Sequence, residues 1–146
     1  MKRFALLSTF LGVILLSLTA CSHSLKDQVE LSLSSATSSV TLAKVGGKQT
    51  VTFHWGVTNN SNEVLDSSGY ELALLRAEEN KSSQVVMKSI DFSVQAHKAA
   101  LGDTPYLFDF SDPEGTFSVL LSLSRRDGDG FIPLRTVSLP FSLDRK

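Results

Sequence analysis

Val51-Thr52-Phe53-His54-Trp55-Gly56-Val57-Thr58 decides the fold. Apolar side chains stand at 51, 53, 55 and 57, with Thr52, His54, Gly56 and Thr58 between them. That period of two is the signature of an extended strand with one buried and one open face. Trp55 lies on the apolar face with Val51, Phe53 and Val57 and is expected in the core. His54 points the opposite way, to the outer face of the sheet.

The same period runs outward in both directions. Upstream, Val29, Leu31 and Leu33 alternate with Glu30, Ser32 and Ser34, and Val40 and Leu42 resume before a Gly46-Gly47 turn. Downstream, Asn59-Asn60-Ser61-Asn62 is a turn-forming cluster, and a strand opens at Tyr70 with Leu72 and Leu74 on one face. Val85 to Ile90 and Phe92 to Val94 read as weaker strands. Ala96 to Leu101 breaks the alternation and reads as a short helical turn. Tyr106, Phe108 and Phe110 alternate again, with Tyr106 placed in a loop beside Pro105. Asp112-Pro113-Glu114-Gly115 turns the chain into Phe117, Val119, Leu121 and Leu123. A hairpin connection spans Arg125 to Gly130 and leads into a last segment interrupted by Pro133 and Pro140. Proline cannot donate to a ladder, so this segment is expected at a sheet edge or bulged.

Seven or eight short strands without a helical period predict an all-β, antiparallel sandwich of about seven strands. The strand order resembles the immunoglobulin-like and fibronectin type III sandwiches: a tryptophan-bearing second strand (Val51 to Val57), a tyrosine-led third (Tyr70 to Leu75) and a closing hairpin from Phe117 to Leu143. Leu31-Ser32-Leu33-Ser34 through Val51-Thr52-Phe53-His54-Trp55 is further similar to the first domain of outer-membrane glycan-binding lipoproteins of the starch-utilisation type. The fibronectin tyrosine of the sixth strand is replaced here by Phe117.

The first twenty residues read differently. Lys2 and Arg3 precede an apolar run from Phe4 to Leu18, the layout of a cleaved secretory signal peptide. The run is shorter than the ~20 residues that cross a bilayer. Leu18-Thr19-Ala20-Cys21 resembles the lipobox of bacterial lipoproteins. The resemblance implies cleavage before Cys21, acylation of its thiol and new amine, and a lipid-anchored protein of the bacterial cell envelope. Ser22 stands where an aspartate would resemble an inner-membrane retention signal, which favours the outer membrane. Two or three acyl chains, at about 0.8 kcal/mol per buried CH₂, suffice for stable attachment. The expected organisation is therefore a signal peptide over 1–20, an acylated cysteine and polar tether over 21–28, and the sandwich over 29–146.

Composition narrows the function. The 146 residues are 42% apolar and 20% charged, enough for one domain. Without Lys2 and Arg3, twelve basic residues face fifteen acidic ones, a net charge of −3. No nucleic-acid partner is expected at that balance. Cys21 is the single cysteine, so no disulfide is expected.

No HExxH, GxSxG, Walker or CxxC pattern occurs, and neither enzyme activity, cofactor nor metal is expected. Asp127-Gly128-Asp129-Gly130 carries part of a calcium-loop pattern but reads as a hairpin turn. Glu78-Glu79 reads as a solvated strand end, and His54 and His97 as structural histidines. Trp55, Tyr70 and Tyr106 are the aromatic residues that could stack on a sugar, with burial favoured for Trp55.

The expectation is a non-catalytic lipoprotein that binds an envelope protein, by loops or by strand addition at an edge. Asn59, Asn60, Asn62, Arg125, Arg126, Asp127 and Asp129 are the candidate partner-binding loop residues. The alternatives are a surface glycan-binding accessory and an envelope enzyme inhibitor.

Overall fold

A computed structural model describes residues 24–146, so the expected signal peptide and Cys21 lie outside the described residues. Ten strands follow a 3₁₀ turn at Leu25–Asp27: β1 (Val29–Ser35), β2 (Ser39–Leu42), β3 (Gln49–Asn59), β4 (Leu65–Asp66), β5 (Tyr70–Ala77), β6 (Val85–Ile90), β7 (Ser93–Val94), β8 (Lys98–Phe108), β9 (Gly115–Asp127) and β10 (Gly130–Arg145). A three-stranded sheet, β1-β3-β8, faces a five-stranded sheet, β2-β10-β9-β5-β6; β4 and β7 form a small pair beside them. The excess over about seven strands comes from the two-residue strands β4 and β7 and from one strand that divides between sheets. After β1 has paired with β3, the chain crosses to the other sheet as β2, alongside β10.

The period-two reading holds because both sheets bury one face each. Phe53, Val57, Leu72, Leu74, Leu121, Leu123 and Leu143 meet between the sheets, all nearly solvent-free. Phe141 is the hub of the aromatic part of this core, with its ring centroid 5.4 Å from that of Phe108, 5.6 Å from Phe117 and 5.8 Å from Phe53. Burying each such ring contributes about 1.5–3 kcal/mol.

Several expectations are corrected. Ala96 to Leu101 is not helical: His97 takes a left-handed backbone (φ 57°), and from Lys98 onward the chain is strand, in unbroken register with β3 from Asn59↔Lys98 to Gln49↔Phe108. Eleven ladder positions outweigh a weak local preference. Tyr106 and Pro105 belong to that strand, and Pro105 is tolerated because β8 is a sheet edge. The alternation ends at Phe108, and Phe110 lies in the following loop. The sheets are not wholly antiparallel, since β2 runs parallel to β10. The hairpin connection is shorter than expected: Asp127 pairs with Gly130, leaving only Gly128 and Asp129 in the turn, with Gly128 at φ 58°.

Pro133 does sit at a bulge, where the β9–β10 register shifts between Pro133 and Arg135. Part of the stretch 21–28 expected as a polar tether lies within the described residues. Leu25–Asp27 is structured, and Leu25 packs against the core. No helix among the described residues is long and apolar enough to cross a membrane.

Candidate functional site

The predicted loop residues converge on one end of the sandwich, the end where the chain enters it. Val29 opposes Asn59, and the Asn60 N–H donates to the Gln28 carbonyl at 2.8 Å. The Tyr70 hydroxyl donates to Glu63 Oε2 at 2.6 Å, Tyr70 opposes Arg125, and the Arg126 N–H donates to the Gly69 carbonyl at 2.9 Å. Loop 59–69 and the β9–β10 hairpin are therefore neighbours.

Asn59 is removed from the set of contact residues. It is 0% exposed, and its Nδ2 donates to the carbonyls of Glu63, Val94 and Gln95, which ties the loop down from within. Asn60 and Asn62 are exposed, and Asn62 Oδ1 lies 2.9 Å from His97 Nε2. Arg125, Arg126, Asp127 and Asp129 are exposed on the hairpin.

The opposite end carries a feature that the sequence reading missed. Loop Asp109–Glu114 connects β8 to β9 across the two sheets. Its first turn closes with the Asp112 N–H on the Asp109 carbonyl at 3.3 Å, so Phe110 and Ser111 are the turning residues. Asp109 Oδ1 accepts the Ser111 N–H and hydroxyl at 2.8 and 2.6 Å, and these bonds hold its carboxyl below the usual range. Asp112 reaches back, accepting the Asp109 N–H at 2.9 Å and the Tyr106 hydroxyl at 3.0 Å. Burial, reinforced by Asp112, pushes Tyr106 up to about 12.

Two arginines complete the clamp. Arg76, from the last turn-ward residues of β5, donates from Nη2 to the Pro113 carbonyl at 2.7 Å. Arg145, from the end of β10, donates from Nη2 to the carbonyls of Phe110 and Asp112 at 2.7 and 2.6 Å. Arg76 is only 6% exposed, lies 3.7 Å above the centre of the Phe117 ring, and has Glu78 Oε1 3.4 Å from Nε. Among the described residues, its Nε and Nη1 have no hydrogen-bond partner. A buried guanidinium with unpaired donors is costly, and here it holds a loop in shape. The product of the clamp is Phe110, a phenylalanine 65% exposed on a turn whose backbone is held from three sides. The signal available in sequence was Asp109-Phe110-Ser111-Asp112-Pro113, an aspartate-capped turn enclosing an aromatic.

Glu78 is no acid–base partner of Glu79. It pairs with Lys81 at 2.6 Å, and that bond lowers its carboxyl.

The outer face of the three-stranded sheet brings a third set together. Ser34, His54 and Asp103 stand side by side across β1, β3 and β8. His54 Nδ1 lies 2.6 Å from Asp103 Oδ1, a partner that its sequence neighbours could not reveal. The row borders a shallow depression of about 320 Å³, open to solvent, with Ser32, Leu101 and Gly102. The carboxylate fixes the imidazole ring through Nδ1.

The stacking set does not assemble. Trp55 is buried with Nε1 on Thr104 Oγ1 at 3.1 Å, Tyr70 is buried at the entry end, and Tyr106 is half-buried near the far end. Among the described residues, no cluster of three or more His, Cys, Asp or Glu is placed to hold a metal ion.

No family model and no curated protein sequence matches the chain. Solved structures do. The CARDB domain of PF1109 from Pyrococcus furiosus is similar over 80% of this chain and 94% of its own, with a TM-score of 0.51 and 9% identity. The C-terminal domain of Wzt is similar over 82% and 75%, with a TM-score of 0.54 and 12% identity. A β-glucosidase from Listeria innocua matches 80% of this chain with a TM-score of 0.52 and 11% identity, but over only 16% of the enzyme. At these identities the likeness is one of fold: the chain folds as an immunoglobulin-like β-sandwich.

Proposed function

We propose that the chain is a lipid-anchored lipoprotein of the bacterial cell envelope, in the outer membrane, that binds a protein partner without catalysing a reaction. The address rests on Leu18-Thr19-Ala20-Cys21 and the leader before it. The binding role rests on one observation, the exposed Phe110 on its clamped loop. Exposed aromatics presented without a loss of conformational freedom are the groups that dominate protein interfaces, and preorganisation lowers the entropic cost of association. Loop Asp109–Glu114 also lies at the end away from the chain entry. On an anchored protein, that end faces away from the membrane.

Cross-linking in living cells tests both parts. A photoreactive phenylalanine at position 110 is expected to give one stoichiometric protein adduct. Phe110→Ala is expected to weaken partner recovery by about 30-fold or more, as for a hot-spot aromatic. Cys21→Ala is expected to abolish lipid labelling and leave the chain uncut. Lipid labelling that survives Cys21→Ala overturns the anchor. An acylated protein that yields no adduct from position 110 overturns the protein-binding role at this loop and directs the search to glycans.

A further inference from the structure

If the far end meets a partner, the entry end meets something else. Two residues, Ser22 and His23, separate Cys21 from Ser24, and the three residue steps reach about 10 Å at about 3.3–3.6 Å each. From Ser24 the chain passes at once into Leu25–Asp27, with the loop 59–69 beside it. An anchor at Cys21 therefore holds this end of the sandwich against the bilayer.

The β9–β10 hairpin, which projects at the same end, has the chemistry for that neighbour. Phe131 and Ile132, at its tip, are 44% and 41% exposed, and Val64 on the adjoining loop is exposed too. The Arg126 guanidinium lies 5.5 Å from the centre of the Phe131 ring. Arg125 and Arg126 stand beside Asp127 and Asp129, all four exposed. Two apolar side chains with charges of both signs around them suit a headgroup layer that carries phosphates and ammonium groups, where amphipathic rings settle at the boundary.

We propose that the hairpin tip, through Phe131 and Ile132, seats in the headgroup layer of the membrane that holds the anchor and so fixes the orientation of the sandwich. This rests on the lipid-anchor reading. It makes the second cluster of predicted loop residues a membrane contact rather than a protein contact.

The test uses the full, acylated protein in phosphatidylethanolamine–phosphatidylglycerol vesicles containing brominated lipid. Phe131→Trp adds an indole at the hairpin and Phe110→Trp adds one at the far end, over the constant background of Trp55. The emission added at 131 is expected to be largely quenched, and that at 110 to persist. Asp129→Cys, an exposed turn position carrying a nitroxide, gives a second reading that leaves the apolar residues intact. Its collisions with oxygen are expected to rise relative to those with a water-soluble nickel complex.

Mass spectrometry of the same samples reports acylation. An unacylated Cys21 removes the anchor and this inference with it. An acylated protein with equal quenching at 131 and 110, and a water-exposed label at 129, overturns the inference alone.

Discussion

The guanidinium of Arg76 lies 3.7 Å from the centre of the Phe117 ring, sandwiched between the end of the aromatic core and the carbonyl of Pro113. The ring face is electron-rich, and that attraction offsets part of the cost of burying the cation. Arg76→Met would keep the bulk and remove the donors. The Pro113 carbonyl loses its donor while Glu78 keeps Lys81, so global stability should fall by only about 1–2 kcal/mol. Loop 109–114 should nevertheless loosen, with faster amide hydrogen exchange at Phe110 and Ser111. Unchanged exchange at both amides would remove Arg76 from the clamp.

Gly102 opposes Trp55 across the β3–β8 ladder, and the indole covers it. A Cβ on Gly102 would come within 2.6 Å of Trp55 Cε2. The ring is rigid and held by Thr104, so Gly102→Ala should cost about 1–3 kcal/mol through overpacking. Urea unfolding followed by Trp55 emission measures this, and a loss below about 0.5 kcal/mol would mean that the sheet moves to make room.

Asn59 anchors the entry-end loop through its amide, with Oδ1 accepting both the N–H and the hydroxyl of Ser61. Asn59→Ala should cost about 2–3 kcal/mol, because buried carbonyls and a buried N–H lose their partner together. Asn59→Asp should cost more, since a carboxylate would face the same carbonyls. Thermal unfolding of the two variants checks the order, and equal loss would contradict the donor role of Nδ2.

Alkaline pH should destabilise the fold before general deprotonation does. Burial, then the hydrogen bond to Glu63, pushes Tyr70 up to about 12, as burial and Asp112 do for Tyr106. An unfolded tyrosine ionises near 10. Between those values the unfolded chain has released protons that the folded chain keeps, so stability falls as pH rises. The contribution is complete below about pH 10 and lost as pH passes about 12. Urea midpoints should therefore decline between about pH 10 and about pH 12, and less steeply in Tyr70→Phe. A decline of equal slope in both proteins would remove Tyr70 as a source.

The parts of the fold that were legible in sequence are those set by neighbours in the chain. Val51 to Val57 shows which side chains turn inward because alternation is a local property of extended backbone. Pro133 marks its bulge because a missing N–H is a covalent fact. Ala96 to Leu101 is not legible locally, for the converse reason. Its local pattern is weak, and the ladder with β3 that makes it a strand is formed by residues some forty positions away.

The site was the least legible part. Asn59 looked like a turn residue, and only its place against Val94 and Gln95 made it a buried anchor. Arg76 and Arg145 are far apart in the chain and have no shared motif, yet both reach the loop that presents Phe110. The sequence alone determined the strand faces and the composition of the turns. The tertiary structure decided which loops share an end, which polar groups are buried and which aromatics are left exposed. Those outcomes depend on register and packing between distant segments, and no local periodicity encodes them.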